Sequence, residues 1–292
     1  MLNDGRPQLD VLPAAEVVDL LLDAETRVVP AVRAVAADVV AAADVLAGRL
    51  MAGGRLVFAG AGTSGRLAHL QAAELPGTFG LDPARVRHLV AGGVEGADAA
   101  EDDLDLAAAD LGRLALTGRD AVIAVAASGR TPYTLAVAEQ GRRRGAGVVA
   151  VTTTGDTPLA ALADVAVEAV VGPEVLRGSS RLTAGTAQKV VLDAVTTTAM
   201  ARLGRVHGDH MIDVVGANAK LRDRVAAMVA EIAQVGSDEA LAAVSACGDD
   251  ARAAVLVCVA GLAPREAVAR AAMHRTLRDA LAAVARKPRA GH

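Results

Sequence analysis

Three loops rich in glycine and hydroxyl side chains contain the residues best suited to chemistry in this chain. They read GAGTSG at residues 60–65, SGRTP at 128–132 and GSSR at 178–181. A helical pattern follows each loop, and backbone N–H groups at a helix start bind phosphate or hydroxyl groups well. The candidate ligand-binding residues are Gly62, Thr63, Ser64, Gly65, Ser128, Gly129, Arg130, Thr131, Ser179 and Ser180.

The first loop formally matches the pattern G-x-G-x-x-G, which by itself is a weak signal. A dinucleotide site also needs a carboxylate at the tip of the next strand, and that strand ends in AGG at 91–93. No Gly-Lys-Ser/Thr follows, which excludes a Walker A loop. A plain strand-to-helix turn with Ser64 as N-cap is the alternative interpretation. Because the hydroxyl-rich pattern recurs in two further loops, an anion-binding crevice is favoured over it.

Short apolar segments alternate with helical patterns and predict the elements that position these loops. The predicted strands are 56–59, 86–91, 121–126, 147–152 and 164–171. Such alternation is typical of an α/β fold, here a doubly wound parallel five-stranded sheet with helices on both faces. Ligands of these sheets bind beyond the carboxyl ends of the strands, and GAGTSG, ASGRTP and TTTGD all follow predicted strands.

The strand pattern is confined to the middle of the chain, which predicts three parts. Residues 1–45 form an N-terminal helical segment, 46–213 a sheet domain, and 214–292 a helical C-terminal region. We expect two helices over 14–52, with Pro30 in the first turn of the second, and one helix over 214–235. A helix from Arg66 should end at Pro76.

Composition excludes several classes of function. The 292 residues are 53% hydrophobic, but include no Trp, one Tyr and two Phe, so recognition by aromatic stacking is excluded. The net charge of −4 comes without a basic stripe, which argues against nucleic acid. Neither a signal peptide nor an apolar run of about 18 residues is present, so we expect a cytoplasmic protein without a membrane partner. The six His show no metal-ligand spacing. Tyr133 follows the second loop and is expected beside the crevice.

Five segments, in one order between about residues 15 and 225, carry a specific resemblance. They are GAGTSGRL, AAELPGTFG, AASGRTPY, GSSRLTAGTAQK and HMIDVVGANAKL. They resemble the SIS-domain family and, within it, the N-acetylmuramic acid 6-phosphate etherases and their relative, the glucokinase regulatory protein. The resemblance implies a homodimer that binds a phosphorylated amino sugar at the strand ends, without metal or organic cofactor. It also implies cleavage of the D-lactyl ether of that sugar, giving N-acetylglucosamine 6-phosphate and D-lactate.

The resemblance also assigns the acid–base chemistry to two glutamates. Glu74 stands in the Ala-x-Glu-x-Pro segment, and Glu101 stands in AAED at 99–102, with Glu95 as the alternative to Glu101. Glu74 lies about ten residues along a helix from Ser64, roughly 15 Å away, so we expect a site shared between subunits. A phosphosugar-binding regulator and an aldose–ketose isomerase are the alternative functions.

Overall fold

The N-terminal region forms three helices rather than the predicted two. The computed structural model describes residues 7–96, 98–216 and 218–285, so the ends of the predicted outer segments, 1–6 and 286–292, lie outside the described residues. The helices are α1 (Ala14–Glu25), α2 (Val28–Ala34) and α3 (Ala36–Met51). Pro30 lies in the first turn of α2, as predicted, because a helix start tolerates the missing N–H.

The predicted α/β fold with a five-stranded parallel sheet is confirmed. All strand pairs are parallel, and Leu56 of the first strand pairs with both Val86 and Ala121. The order across the sheet is β2-β1-β3-β4-β5. Every residue of β1, β3 and β4 is buried, which explains why these strands are continuous apolar runs. The strands are β1 (Leu56–Gly60), β2 (Val86–Val90), β3 (Ala121–Val125), β4 (Gly147–Thr152) and β5 (Val165–Glu168).

The connecting helices differ from the predicted ones in two places. The helix after β1 runs through Pro76 instead of ending there, and it ends at Gly80, whose φ is +60°. Leu75 and Phe79 are buried against the sheet, and this packing offsets the hydrogen bond lost at the proline. The short helix after β4 was not predicted. The helices are α4 (Gly62–Phe79), α5 (Leu104–Leu114), α6 (Pro132–Arg143), α7 (Pro158–Leu162) and α8 (Thr183–Arg202), with a 3₁₀ turn at Asp98–Asp102.

Apolar clusters cover both faces of the sheet. Phe58 packs in the cluster of α3, α4 and α8, whereas its neighbours Val57 and Ala59 pack in the cluster of α5 and α6, as strand alternation requires. Tyr133 belongs to the second cluster: it is fully buried, and its hydroxyl donates to Asp110 at 2.6 Å. Tyr133 thus follows the second loop at the start of α6, and its side chain packs into this cluster.

The C-terminal helices bury an apolar cluster of their own and are tied to the sheet region by one ion-pair network. Asp213 accepts hydrogen bonds from Nε and Nη2 of Arg252 at 2.5 and 2.8 Å, and Arg205 Nη1 lies 3.4 Å from it. The first of these C-terminal helices begins at Ala219 rather than at the predicted residue 214. Asn218 caps it by accepting a hydrogen bond from the N–H of Leu221. The helices are α9 (Ala219–Ala233), α10 (Ser237–Ala246), α11 (Ala251–Ala260), α12 (Pro264–Ala272) and α13 (Leu277–Ala285).

Across the part of the chain that the structure describes, no helix has the length and apolar character needed to cross a bilayer.

Asp120 links the amino ends of β1 and β3 through hydrogen bonds. Its ionisation makes the free energy of unfolding depend on pH. Arg55 donates to it from its backbone N, Nε and Nη2 at 3.0, 3.1 and 2.7 Å. Burial opposes ionisation, but the Arg55 side chain and the N–H groups of Thr117 and Arg55 outweigh it and lower the pKa of Asp120 to about 2. Because the folded pKa lies below the ordinary value of 3.8, the ionised carboxylate stabilises the fold above about pH 4.

We therefore expect Asp120→Asn to lower the free energy of unfolding by about 2 kcal/mol at pH 7. The difference from wild type should shrink as pH falls from 4 toward 2, since the protonated wild type loses the same interaction. Urea unfolding across this pH range measures both effects. Asp44→Asn is the control, because Asp44 forms an exposed pair with Arg202 that contributes little. Equal losses for the two variants would contradict the assignment.

Candidate functional site

The carboxyl ends of β1 and β3 meet where the strand order reverses, the position at which sheets of this kind form a ligand crevice. The helix after β1, α4, packs on one face of the sheet, and the helix after β3, α6, packs on the other. In doubly wound sheets a ligand binds at such a switch point. Gly60 pairs with Val125 here, and a Cβ on Gly60 would lie 2.8 Å from the Val125 carbonyl oxygen. The structure thus brings the first and second predicted loops to adjacent strand ends.

The first loop is a close strand-to-helix connection whose hydroxyls are not used as caps. Helix α4 already begins at Gly62, where φ is +52°, and its N-cap, Ala61, makes no side-chain cap bond. Ser64 therefore is not the N-cap; its hydroxyl donates to Oε1 of Gln188 in α8 at 3.0 Å. A Cβ on Gly65 would lie 2.7 Å from the Gly60 carbonyl, so glycine permits this tight turn. Thr63 and Ser64 are half-buried at the crevice.

Glu101 lies against this loop within the same chain. A Cβ placed on Gly62 would be 2.8 Å from Oε1 of Glu101, so the carboxylate reaches the start of α4. Glu101 is half-buried in the 3₁₀ turn ahead of α5, whereas Glu95 is exposed on the loop before it. A helix start favours a negative charge, which suits an ionised carboxylate at this position. The geometry thus places Glu101 at the crevice, and it gives Glu95 no comparable position.

The second loop is shaped by Gly129. Its φ is +61°, and a Cβ there would lie 2.4 Å from the Cβ of Thr157, so a side chain has no room. Exposed Ser128 accepts a hydrogen bond from the N–H of Arg130 at 3.3 Å, which bends the loop toward the helix start. Thr131 is the N-cap residue of α6, but its side chain makes no cap bond, so its hydroxyl can serve a ligand.

The third loop lies at the start of α8 and meets the first loop. A Cβ on Gly185 would lie 3.6 Å from both the Thr63 methyl group and the Ser180 carbonyl oxygen. Sequence reasoning missed Glu174, whose carboxylate accepts from the N–H groups of Thr183 and Ala184 at 3.1 and 2.9 Å. The start of α8 therefore already holds a carboxylate from its own chain. Glu174 is too far ahead of the helix for a capping pattern, so the sequence contained no signal for it.

Glu74 lies apart from the loops of its own chain. It stands twelve residues after Gly62 in α4, a rise of roughly 18 Å. Its Oε2 is 3.5 Å from Nζ of Lys189 in α8, and its side chain is 47% exposed. It borders a cavity of about 270 Å³ that is also lined by Gln71, Leu75, Thr78, Phe79, Asp193, Thr197, Val206, Asp209 and Met211.

Lys189 is the basic residue next to Glu74. Its Nζ donates to Asp193 Oδ1 at 2.5 Å as well as approaching Glu74. Burial would lower the pKa of Lys189, but Asp193 and then Glu74 outweigh it, so the pKa is raised and the ammonium stays charged. Within the described ranges, no group of three or more His, Cys, Asp or Glu is arranged to hold a metal ion.

The comparisons with known proteins agree with this architecture. Residues 38–140 match the family model described as the glucokinase regulatory protein N-terminal SIS domain, and residues 104–198 match the SIS domain model. Among solved structures, a phosphoheptose isomerase from Neisseria gonorrhoeae is 17% identical with a TM-score of 0.51, covering 64% of this chain and 98% of that one. The switch-point crevice and these matches define a SIS-domain α/β protein.

Curated relatives give the narrower family. The N-acetylmuramic acid 6-phosphate etherase of Rubrobacter xylanophilus is 44% identical over 264 residues, 89% of this chain and 88% of that protein. The etherase of Aliivibrio fischeri is 40% identical over 284 residues, covering 96% and 95% of the two chains. This chain belongs to the N-acetylmuramic acid 6-phosphate etherase family. The resemblance seen in the five segments is confirmed, and so is the prediction of an enzyme of this class.

Proposed function

We propose that this chain uses water to cleave the D-lactyl ether of N-acetylmuramic acid 6-phosphate, giving N-acetylglucosamine 6-phosphate and D-lactate. The observation that carries the proposal is the Glu101 carboxylate at the first glycine loop, in a chain 44% identical to a protein of that name. The regulator and isomerase alternatives are not favoured, since relatives at 38–44% identity are named as etherases.

The chemistry needs two acid–base groups and a site for the phosphate. Opening the sugar ring exposes the C1 aldehyde, which acidifies the C2 proton. A base removes that proton, the electron pair forms the C2=C3 double bond, and the C3–oxygen bond breaks as an acid protonates the lactyl oxygen. Water then adds its hydroxyl at C3, and a proton returns to C2. One water is consumed, and proton transfer alone is required, so we propose no metal or organic cofactor.

We assign these roles from the placement of the groups. Glu101 is the acid–base group at C2, because it shares the crevice with the first loop. Glu74 protonates the lactyl oxygen and then activates water. The phosphate and sugar hydroxyls bind N–H groups and hydroxyls at the helix starts, contributed by Gly62, Thr63, Ser64, Gly65, Ser128, Gly129, Arg130, Thr131, Ser179 and Ser180.

We propose a homodimer with shared sites, and the position of Glu74 supports it. The rise along α4 keeps it away from the loops of its own chain, so we propose that it completes the site of a partner copy. We also propose a cytoplasmic enzyme of amino sugar catabolism and cell wall recycling; the free thiols of Cys247 and Cys258 suit a reducing compartment. We also propose that the chain divides at residues 45 and 213 into an N-terminal helical segment, a sheet domain and a helical C-terminal region.

The test is incubation of the purified chain with N-acetylmuramic acid 6-phosphate. We expect equal amounts of D-lactate and N-acetylglucosamine 6-phosphate, measured enzymatically and by NMR. In ¹⁸O-labelled water the label should enter the sugar at C3 and not the lactate, because the C3–oxygen bond is the one that breaks. Binding of the sugar phosphate without lactate would support the regulator instead, and a ketose product would support the isomerase.

A further inference from the structure

We propose that Lys189 binds the carboxylate of the D-lactyl group and thereby selects the substrate. This inference rests on the proposed function. It concerns the cavity beside Glu74, which the phosphate-binding loops do not line. The lactyl carboxylate is the charged group that N-acetylmuramic acid 6-phosphate has and its sugar product lacks, so a cation placed beside the acid would distinguish the two.

The geometry places an ammonium next to two of the residues that line this cavity. Lys189 Nζ lies 2.5 Å from Asp193 Oδ1 and 3.5 Å from Glu74 Oε2, and both carboxylates line the cavity. The lysine side chain is 31% exposed, so its end can reach a ligand. The cavity, of about 270 Å³, has room for a three-carbon acid. In the proposed shared site, the phosphate end of the substrate would lie outside this cavity, toward the loops of the partner copy.

The charges explain why a cation is required here. The charged residues that line the cavity are Glu74, Asp193 and Asp209, all acidic. A substrate carboxylate entering between them would be repelled unless a positive charge met it. Lys189 is already held by two of these residues, and an ammonium has three donors, so it can bind a substrate oxygen while keeping Asp193.

The Glu74 contact is the one that a substrate oxygen would replace. At 3.5 Å it is longer than the Asp193 contact at 2.5 Å, and so is the easier one to exchange. Asp193 would then keep the ammonium in place while it pairs with the lactyl carboxylate.

The test compares Lys189→Met with wild type on two substrates. One is N-acetylmuramic acid 6-phosphate; the other is 3-O-ethyl-N-acetylglucosamine 6-phosphate, which lacks only the carboxylate. For the first we expect kcat/KM to fall roughly 10- to 100-fold, mainly through KM, because a charge-assisted hydrogen bond is lost. For the ethyl analogue, and for the Kd of N-acetylglucosamine 6-phosphate, we expect changes within about twofold. Lys189→Arg should restore part of the loss. Lys220→Met removes the same charge from an exposed position on α9, away from the cavity. It should leave kcat/KM unchanged for both substrates.

The outcomes separate this inference from the proposed function. If wild type releases lactate but Lys189→Met affects both substrates equally, or affects neither, the carboxylate contact is wrong and the etherase activity stands. If wild type releases no lactate, both the proposed etherase activity and the Lys189 contact that rests on it are contradicted. An unchanged Kd for the sugar product would show that Lys189→Met has folded and retains its phosphate site.

Discussion

Glu101→Gln should lower the rate of D-lactate release by about 100- to 10,000-fold, the usual contribution of a positioned acid–base group. Glutamine is nearly the same size as glutamate and fits the same place beside Gly62, but it cannot accept the C2 proton. We therefore expect binding of N-acetylglucosamine 6-phosphate to stay within about threefold of wild type. Exchange of the C2 proton of that product in D₂O should be lost together with turnover. Lactate assays and NMR of the exchanging proton measure the two effects.

Glu95→Gln is the matched control for this prediction. It removes a carboxylate from the same connection between β2 and α5, but Glu95 is exposed while Glu101 reaches the first loop. We expect Glu95→Gln to retain activity within about twofold. The opposite pattern, with Glu95→Gln inactive and Glu101→Gln active, would transfer the role to Glu95. Full activity in both variants would exclude this connection from the chemistry.

The sheet could be predicted from the sequence because its three central strands, β1, β3 and β4, are buried on both faces. A strand covered on both sides is apolar along most of its length, and β4 has the predicted bounds of Gly147–Thr152. The position of the crevice follows from the same pattern, since parallel strands end at one edge and the loops follow those ends. This is why the loops that we propose to bind phosphate could be located from the sequence.

Contacts between distant segments could not be predicted in this way. The continuation of α4 through Pro76 depends on the burial of Leu75 and Phe79, which no local preference reveals. The approach of Glu101 to Gly62 likewise depends on how the segment after β2 folds back over the crevice. The local sequence pattern alone indicates only that Glu101 is a carboxylate on an acidic helix.

A mixed dimer of Glu74→Gln and Glu101→Gln chains should recover about half of the wild-type activity per dimer. Each parent dimer lacks one group at both sites and should be nearly inactive. Glu101 lies at the loop of its own chain, while Glu74 is proposed to serve the partner. In the mixed dimer, one site therefore combines the intact Glu101 of one chain with the intact Glu74 of the other. Two affinity tags on co-expressed chains isolate this dimer for the lactate assay.

The double variant supplies a control with the opposite expectation. A mixed dimer of wild type with Glu74→Gln/Glu101→Gln has one defective group at each shared site, so it should be nearly inactive. If each site instead used both glutamates of one chain, this dimer would keep about half of the activity and the first mixed dimer would have none. Because the two dimers contain the same four side chains in different combinations, folding and stability cannot explain a difference between them. Only the distribution of Glu74 and Glu101 between the chains can.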